Sequence, residues 1–476
     1  MRLIEQIYQI AERHPKKIAL ISEKNQLTFL DLISLVAAFR EAMGAQGVQK
    51  GARILLASTR SEFVIVGALV ASLDGHRIIF GSPEKAGKAG VDYDVLLSEQ
   101  APPEDTDVHC VQIRSGWFDA LVSDRLIKLP EPSATPATYV GFTSGSTGTP
   151  QPSETLEKDV LRPISTWDPL APSNERLMFS ASPSESWARN GYLKHLSDGG
   201  SIVALSEHRS RLLQYIDLYQ VTLVVLSPAS IPQIAAIPDA RHYFSSVKYI
   251  LLGGAYISSR AITALRDYYH GQVLVGFGSS EIGGLARDAV GVDEPFEDGY
   301  IGKLTRDDLE IFFHNGAGTI LKGTSEGQIG YRFLGDATVQ RRNVAVGQPG
   351  WSEDANGHPL YWSTDIMRSE GDRLYFVGRA SNIINFGGNK VALEDINAAL
   401  EKTGLFDEVA SVARRNKFGV EELFVFYASN RRVSTAQVND ALDSSVRLVR
   451  ASSVTRLESL PRTATDKIDV QVLATM

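Results

Sequence analysis

Segments of strand length alternate with segments of helical periodicity over the first 280 residues. The strand-like runs are 52–57, 201–205, 221–226, 247–252 and 273–276, and the helix-like runs among them are 61–73, 210–219, 231–236 and 258–269. Because strands that alternate with helices form parallel sheets with both faces covered, the sequence predicts an α/β fold with mixed, mainly parallel sheets. Such sheets bind ligands beyond the carboxyl ends of their strands, so the loops near residues 141 and 253 are candidate sites.

The pattern changes twice toward the carboxyl end. From about Tyr300 the chain shows short strand-like runs separated by glycine turns, which predicts a small β-barrel-like part. Residues 390–476 combine helical and strand-like runs and predict a small α+β unit. We therefore expect a large N-terminal domain, residues 1–380, and a small mobile C-terminal domain, residues 381–476.

The composition excludes several classes of protein. Of 476 residues, 43% are hydrophobic and 22% charged, as in globular proteins, and the net charge of −8 disfavours a general nucleic-acid binder. Glu5 and Glu12 interrupt the amino-terminal run where a signal peptide needs apolar residues, and no run of eighteen apolar residues exists. The single cysteine, Cys110, fits a reducing compartment. We expect a cytoplasmic protein without a membrane span.

One segment, GFTSGSTGTPQP at 141–152, has three glycines and seven serine, threonine or proline residues. This composition disfavours helix and strand, and it supplies hydroxyl and backbone N–H donors that suit an anion such as phosphate. A flexible surface loop is the alternative on this segment alone. The segment is not a P-loop of the GxxxxGK[ST] kind, because no lysine follows at the required place.

Five further segments accompany this loop. The six are TSGSTGTP (143–150), GGA (253–255), GFGSSE (276–281), STD (363–365), GR (378–379) and PRTATDK (461–467). In this order and at these separations they resemble the adenylate-forming superfamily, which includes acyl-CoA synthetases, nonribosomal peptide adenylation domains and beetle luciferases. The resemblance covers nearly the whole chain, from the Thr28 region to Lys467.

The resemblance implies an ATP-dependent, AMP-forming ligase. In this family a carboxylate attacks the α-phosphate of ATP to give an acyl-adenylate and pyrophosphate, and a thiol then displaces AMP. The implied cofactors are ATP, Mg²⁺ and coenzyme A or the phosphopantetheine of a carrier protein. Two anions must meet in the first step, so catalysis depends on placement and on cationic and N–H stabilisation.

The resemblance also assigns roles to residues, each of which is a turn or surface residue in the alternative interpretation. Lys467 bridges the substrate carboxylate and the α-phosphate, Glu281 binds magnesium, and Ser280 lies beside the phosphates. Phe277 stacks on adenine, Asp365 accepts hydrogen bonds from the ribose, and Arg379 reaches the same sugar. The full ATP-binding set is Thr143, Ser144, Gly145, Ser146, Thr147, Gly148, Gly253, Gly254, Ala255, Phe277, Gly278, Asp365 and Arg379.

Three further residues relate to the second step. Ser381 occupies the hinge position, about which the small domain pivots to open a channel for the thiol. Gly387 and Gly388 match glycines that line this channel, although a tight turn before the next helix explains them equally well. The chain continues for only nine residues after Lys467, so we expect any carrier protein to bind in trans.

The sequence departs from the family pattern at four places. Gln151-Pro152 replace the Lys-Gly that normally ends the phosphate loop, and Asp466 replaces the glycine before the lysine. Ser381 stands where an aspartate or lysine hinge is usual, and Phe277 replaces a tyrosine. These departures keep a second hypothesis open, a degenerate non-catalytic paralogue that binds a nucleotide or a partner. Transfer of the adenylate to a non-thiol acceptor is a third.

The acyl pocket is the least determined part. Family members shape it partly with the segment here at 179–190, where Trp187 could form a wall and Glu185 or Arg189 could face a polar substrate. Packing and surface charge are the alternative for all three. The aspartate that grips an α-amino group is not visible in this segment, which disfavours an α-amino acid and leaves hydroxy, aryl and medium-length fatty acids open.

Overall fold

The computed structural model divides the chain into two compact units. One comprises Met1–Val225 with Ser245–Lys248, and the other comprises Leu226–Phe244 with Tyr249–Met476. The residues that the structure describes are 1–22, 24–100, 107–118, 125–144, 150–162, 174–205, 211–291, 294–323, 325–335, 337–345, 350–386, 389–415, 421–445, 449–463 and 467–476.

Helices and strands alternate along the described chain. The helices are α1 (Leu3–Arg13), α2 (Phe29–Ala45), α3 (Ser61–Asp74), α4 (Pro83–Lys88), α5 (Glu157–Val160), α6 (Ser186–Ser197), α7 (Leu212–Leu218), α8 (Ile231–Ala235), α9 (Ala240–Tyr243), α10 (Ser259–Arg266), α11 (Thr338–Ala345), α12 (Leu393–Lys402), α13 (Thr435–Ser445) and α14 (Val470–Thr475). The strands are β1 (Ile18–Ile21), β2 (Gln26–Thr28), β3 (Arg53–Ala57), β4 (Arg77–Phe80), β5 (Val95–Ser98), β6 (His109–Gln112), β7 (Thr138–Ser144), β8 (Pro150–Leu156), β9 (Arg176–Phe179), β10 (Ser201–Val203), β11 (Leu223–Leu226), β12 (Tyr249–Leu252), β13 (Gln272–Ser279), β14 (Gly283–Val290), β15 (Tyr300–Leu304), β16 (Leu309–His314), β17 (Glu326–Phe333), β18 (Trp351–Glu353), β19 (Pro359–Glu370), β20 (Arg373–Arg379), β21 (Ile383–Phe386), β22 (Asn389–Ala392), β23 (Glu408–Arg415), β24 (Glu421–Ala428) and β25 (Ala451–Leu457).

The first unit contains two mainly parallel sheets, as the alternating pattern predicts. One has the order β2-β1-β10-β9-β11 and the other the order β6-β5-β3-β4-β7-β8. All pairs in these sheets are parallel except the edge pairs β1–β2 and β7–β8. An antiparallel edge strand on a parallel sheet is common in α/β proteins.

Helix α3 shows how sequence and packing agree in this unit. Every residue from Ser61 to Asp74 is buried, which accounts for the apolar composition on all sides of the helix. The helix ends at Gly75, whose φ of 73° lies in the left-handed region that glycine adopts without strain. Within the described ranges, each helix is too short or too polar to span a bilayer.

The segment GFTSGSTGTPQP only partly fits the expectation that it avoids regular structure. Its first four residues, 141–144, continue strand β7, and its last three, 150–152, begin strand β8, which pairs with β7 in antiparallel register. Strand β8 lies at the edge of its sheet, where proline is tolerated because an edge N–H needs no ladder partner. The expectation was therefore wrong for both flanks of the segment.

The second unit contains one large sheet and two smaller ones. Strands β12 and β13 pair in parallel, and the order then continues through β14, β15, β20, β19, β17 and β16 with antiparallel pairs. Within the described residues β16 pairs only with β17, so this order is open. Its core includes Leu285, Ile329 and Met367, each fully buried.

The carboxyl-terminal residues of the second unit have a core of their own. Strands β23, β24 and β25 form a three-stranded sheet, and β21 and β22 form a hairpin. Helices α12 and α13 pack on this sheet through Ile396, Leu400 and Leu442, beside the buried ring of Phe406. The predicted α+β character is therefore confirmed for these residues, while the domain boundary near residue 380 stays a prediction.

A buried carboxylate in the first unit generates a test of stability. Glu157, at the start of α5, accepts hydrogen bonds from Arg2 Nε at 2.6 Å, from the backbone N–H of Leu3 at 2.7 Å, from the Ser72 hydroxyl and from the Ala137 N–H at 3.3 Å. Its side chain is 2% exposed and that of Arg2 is 17% exposed. One carboxylate therefore joins separate parts of the chain.

We expect Glu157→Ala to lower the free energy of unfolding by about 3–5 kcal/mol, because a largely buried guanidinium loses its counter-charge and several buried donors lose their acceptor. Urea unfolding followed by circular dichroism measures the change. The control is Glu84→Ala, which removes an exposed i,i+4 pair with Lys88 and should leave the unfolding curve in place. Equal curves for the two variants would contradict the role given to Glu157.

Candidate active site

The site of the second unit begins where strands β12 and β13 end. Their parallel register places Leu252 beside Val275, so Gly253 follows beside Gly276. A Cβ atom on Gly253 would lie 3.0 Å from the carbonyl oxygen of Gly276, and Gly254 has a φ of 81°. Both positions therefore favour glycine, and backbone groups line the surface at the carboxyl ends of these strands.

Phe277 is the next residue along β13. Its half-buried ring stacks on Phe376 of β20, with centroids 5.9 Å apart and planes inclined by 26°. A Cβ atom on the following residue, Gly278, would lie only 2.7 Å from the carbonyl oxygen of Gly283. The turn after β13 is thus tightly packed, and the Phe277 ring links β13 to β20.

Asp365 and Arg379 lie directly opposite each other on β19 and β20. Arg379 Nε donates to an Asp365 carboxylate oxygen at 2.9 Å, and the Arg379 and Asp365 side chains are 56% and 9% exposed. The Asp365 N–H donates to the Ser363 hydroxyl at 3.0 Å, which fixes the backbone at this point. The predicted pair is therefore brought together, with a buried carboxylate held by an exposed guanidinium.

The carboxylates of Glu281 and Asp365 both raise the pKa of the same two tyrosine hydroxyls, those of Tyr331 and Tyr361. The rings of Tyr331 and Tyr361 stack at 6.2 Å with planes inclined by 12°. Burial, then the carboxylates of Glu281 and Asp365, raise the pKa of the Tyr361 hydroxyl. Burial and then Asp365 raise the pKa of Tyr331, to which Tyr361 and Glu281 also contribute. Negative charge from two distant sequence motifs is thus concentrated around one aromatic pair.

The donor set near Glu281 fits a magnesium ion that is shared with phosphates. Among the described residues, no group of three or more histidine, cysteine, aspartate or glutamate side chains could hold a metal by itself. Magnesium usually takes one or two carboxylates and completes its shell with substrate phosphates and water. The half-exposed carboxylate of Glu281 supplies one hard oxygen ligand of this kind, and the exposed Ser280 precedes it.

Lys467 lies in a short turn whose two ends are joined. The Thr463 N–H donates to the Lys467 carbonyl oxygen at 2.8 Å, the Lys467 N–H donates to the Thr463 hydroxyl at 3.2 Å, and the Asp469 N–H donates to the Pro461 carbonyl oxygen at 2.8 Å. The exposed Lys467 side chain reaches Gly254, with Cε 3.8 Å from the position that a Cβ atom would take there. The structure thus brings the predicted catalytic lysine to the glycine turn after β12.

Several predicted residues lie outside the described residues. These are Gly145, Ser146, Thr147 and Gly148 of the phosphate loop, Gly387 and Gly388 of the thiol channel, and Asp466. Thr143 and Ser144 are described as the end of strand β7 in the first unit. Ser381 is described only as part of a 3-10 turn after β20. The roles given to these residues stay predictions.

The three acyl-pocket candidates lie at the start of α6 in the first unit. Trp187 is half-buried and contacts Phe179 edge-on, with centroids 5.0 Å apart. Arg189 is fully buried, with its guanidinium 4.1 Å from the centre of the Phe80 ring. Glu185 is the N-cap residue of α6. Their roles in substrate recognition stay predictions.

Sequence reasoning missed the aromatic side chains around these carboxylates. Tyr361 lies four residues before Asp365 on β19, and Tyr331 pairs directly with Tyr361. The pairing of β19 with β17 is irregular between Trp362 and Ile366, so a period of two was not a usable signal for Tyr361. Nothing local identified Tyr331, because its place depends on how β17 pairs with β19.

A family model described as an AMP-binding enzyme matches residues 70–332, more than half of the chain. This chain belongs to the AMP-binding enzyme family. The predicted resemblance to adenylate-forming enzymes is therefore confirmed.

Curated relatives of this AMP-binding enzyme are distant in sequence. Malpibaldin synthetase of Mortierella alpina is 23% identical over 99% of this chain, which spans only 9% of that protein. Surfactin synthase subunit 2 of Bacillus subtilis (strain 168) is 22% identical over 97% of this chain and 13% of its own length. The D-alanine–D-alanyl carrier protein ligase of Lactococcus lactis subsp. lactis (strain IL1403) is 22% identical over 87% of this chain and 85% of its own length. The chain thus spans a small part of the synthetases and most of the carrier protein ligase.

Solved structures share the fold of this AMP-binding enzyme. The anthranilate CoA ligase AuaEII in complex with anthranoyl-AMP has a TM-score of 0.80 and 16% identity, with 100% of this chain and 97% of that chain covered. The predicted α/β fold class is confirmed by this likeness and by the sheets described above.

We expect Asp365→Asn to weaken ATP binding by about ten- to a hundredfold, because an amide loses the charge-assisted hydrogen bonds that a buried carboxylate makes. Isothermal titration calorimetry with ATP measures the change. Asp372→Asn in the exposed turn between β19 and β20 is the matched control and should bind ATP as the unaltered chain does. An unchanged Kd for Asp365→Asn would contradict the placement of the nucleotide at this residue.

Proposed function

We propose that the chain activates a carboxylic acid with ATP to give an acyl-adenylate and pyrophosphate, and then transfers the acyl group to a pantetheine thiol. In the first step a carboxylate oxygen forms a bond to the α-phosphorus, and the bond to the pyrophosphate oxygen breaks. In the second step the sulfur attacks the acyl carbon, AMP leaves and the thiol proton is released. The thiol belongs to coenzyme A or to a carrier protein.

The observation that carries the proposal is the clustering of motif residues in the second unit. Asp365 and Arg379 form one ion pair, Glu281 and Asp365 act on the same tyrosines, and Lys467 reaches Gly254. These residues come from segments that are far apart in the sequence. A structural core needs no such collection of charges, whereas the activation of a carboxylate by ATP requires both cations and oxygen ligands.

The exposed side chain of Lys467 suits the first step. Two anions approach each other when a carboxylate attacks a phosphate, and their repulsion opposes the reaction. A cation placed between them offsets this repulsion and also stabilises the charge that develops on the transferring phosphoryl group. The glycine turn at Gly254 leaves room for such a side chain beside the backbone.

We assign each part of the nucleotide to particular residues of the second unit. We assign the adenine ring to Phe277 and the turn at 253–255, since an aromatic face and a flat backbone surface suit a planar base. We assign the ribose hydroxyls to Asp365 and Arg379, while the role of the segment 143–148 toward the β- and γ-phosphates stays a prediction from the sequence. Magnesium, held by Glu281 together with phosphate oxygens, would supply neutralisation of phosphate charge.

The choice of acceptor rests on the relatives. One is a carrier protein ligase and another a CoA ligase by name, and both descriptions support a pantetheine thiol. A non-thiol acceptor would leave adenylate formation unchanged and alter only the product. Reaction of the formed adenylate with and without coenzyme A, followed by mass spectrometry, separates the two.

A second candidate function is nucleotide binding without catalysis, and Gln151 is the observation that favours it. Gln151 pairs with Thr143 across β7 and β8, so it lies at the point where the predicted phosphate loop returns to the sheet. An amide there contributes no positive charge toward pyrophosphate. ATP binding by calorimetry without pyrophosphate exchange for any acid would support this alternative.

The proposed function is tested with a panel of carboxylic acids in an ATP–pyrophosphate exchange assay. The panel contains aryl, hydroxy and fatty acids, and α-amino acids are included as the disfavoured class. We expect exchange with at least one acid from the first three groups and a matching acyl-AMP in the mass spectrum. Silence across the whole panel would refute the proposal.

We expect Lys467→Ala to slow adenylate formation by at least about a hundredfold, the usual cost of losing one group that stabilises transition-state charge. Thioester formation from synthetic acyl-adenylate and coenzyme A should persist, because the phosphorus–oxygen chemistry is already complete. Lys303→Ala, which removes an exposed lysine on β15, is the control. Exchange by Lys467→Ala at the normal rate would remove the role given to this lysine.

A further inference from the structure

The residues that follow β22 are joined to helix α10 by a guanidinium. Arg260, in the first turn of α10, donates one hydrogen bond to the carbonyl oxygen of Glu401 and another to that of Phe406 at 2.7 Å. The first carbonyl is in the last turn of α12, and the second belongs to a residue that is 1% exposed. Arg260 therefore binds the backbone of a packed core rather than side chains.

Two further contacts join the same parts of the second unit. The Ser258 hydroxyl, at the N-cap of α10, donates to a Glu401 carboxylate oxygen at 2.9 Å. The Lys402 ammonium pairs with Asp298, whose carboxylate also accepts from the Ser259 N–H at 2.6 Å. We call Ser258, Arg260 and Asp298 the α10 clamp.

The contacts of the α10 clamp and the contact of Lys467 join the same two parts of the second unit. One part is the chain from Gly254 to α10, and the other is the carboxyl-terminal core with the turn that carries Lys467. The lysine reaches Gly254, only six residues before Arg260, and its turn is fixed to the carboxyl-terminal core because Arg462 pairs with Glu408. Ile468 packs on a second apolar cluster of the same three-stranded sheet, which includes Val412 and Phe426. A shift of this core relative to α10 would therefore carry the Lys467 side chain away from Gly254.

The contact between α10 and the carboxyl-terminal core contains more carboxylates than cations. Burial, then Asp298, Asp395, Glu401 and Glu394, raise the pKa of the Tyr256 hydroxyl. Burial raises the pKa of Glu401, while Ser258 and Arg260 oppose this rise and Asp298 adds to it. Removing Arg260 takes positive charge from a contact that several carboxylates share and leaves Lys402 to offset their repulsion, which favours separation of the two sides.

We propose that Arg260 is a positioning residue which, through the α10 clamp, holds the carboxyl-terminal core where Lys467 lies beside Gly254. This inference rests on the proposed function for its kinetic consequence, since Lys467 acts in adenylate formation. Its structural consequence does not rest on the proposed function. That consequence is the attachment of the carboxyl-terminal core to α10 through Glu401, Lys402 and Phe406.

The variant Arg260→Ala is compared with Arg266→Ala. Arg266 is on the same helix and also donates to two backbone carbonyls, those of Gly291 and Glu294, but it makes these contacts away from the carboxyl-terminal core. Arg260→Lys tests for rescue, because an ammonium can reach one carbonyl but not bridge two. Lys402→Ala, which removes an exposed ammonium, is measured in parallel in case Arg260→Ala does not fold.

We expect Arg260→Ala to reduce kcat for pyrophosphate exchange by about ten- to a hundredfold with little change in the KM for ATP, because two charge-assisted hydrogen bonds are lost. Thioester formation from supplied acyl-adenylate should be retained. Arg260→Lys should recover part of the loss, Lys402→Ala should show a smaller loss, and Arg266→Ala should match the unaltered chain.

Hydrogen exchange supplies a readout that needs no activity. We expect faster amide exchange in residues 399–406, 462–463 and 467–469 of Arg260→Ala, with no such change in Arg266→Ala. If the unaltered chain exchanges no pyrophosphate, the proposed function fails while this measurement still decides the inference. Unchanged amide exchange in Arg260→Ala, or an equal loss of both half-reactions, would overturn the inference.

Discussion

The candidate site depends on the register in which β19 pairs with β20. This register sets Asp365 opposite Arg379, so that a carboxylate that is 9% exposed has a guanidinium at 2.9 Å. A shift of one residue would turn each side chain to the other face of the sheet. The same strand β20 also carries Phe376, whose ring stacks on Phe277 of β13. That aromatic contact depends on the pairing of β20 with β15, of β15 with β14 and of β14 with β13. Strand β20 therefore contributes to both the polar and the aromatic parts of the site.

Polar contacts attach the carboxyl-terminal core to α10, and the position of Lys467 depends on this attachment. The core itself is apolar, with Ile396 and Leu400 fully buried. Its attachment to α10 instead uses Arg260 against two backbone carbonyls and Lys402 against the Asp298 carboxylate. Contacts of this kind are directional and sensitive to the loss of one charge, whereas apolar packing tolerates conservative changes.

The first unit holds a different kind of buried charge. Arg189 is fully buried, and it donates to the Ser184 carbonyl and the Ser186 hydroxyl while its Nε has no partner among the described residues. Burial lowers the pKa of Arg189 to about 10, so it stays charged at neutral pH. The face of Phe80 offsets part of the cost of burial through a cation–π contact. Glu157, in contrast, is satisfied by donors from separate parts of the chain.

The sequence by itself determined the local elements and the residues of the motifs. Helix α3 and strand β13 follow from periodicity and apolar composition, and the order of the six segments was enough to indicate the family. Local propensity misjudged the flanks of the 141–152 segment, since strand pairing at a sheet edge overrode it. Only the tertiary structure decided that Glu281 and Tyr361 share one electrostatic environment and that Arg260 binds the carbonyl of Phe406. These contacts join residues that are far apart in the sequence, and such long-range pairing is fixed by packing between elements, which a local sequence pattern does not encode.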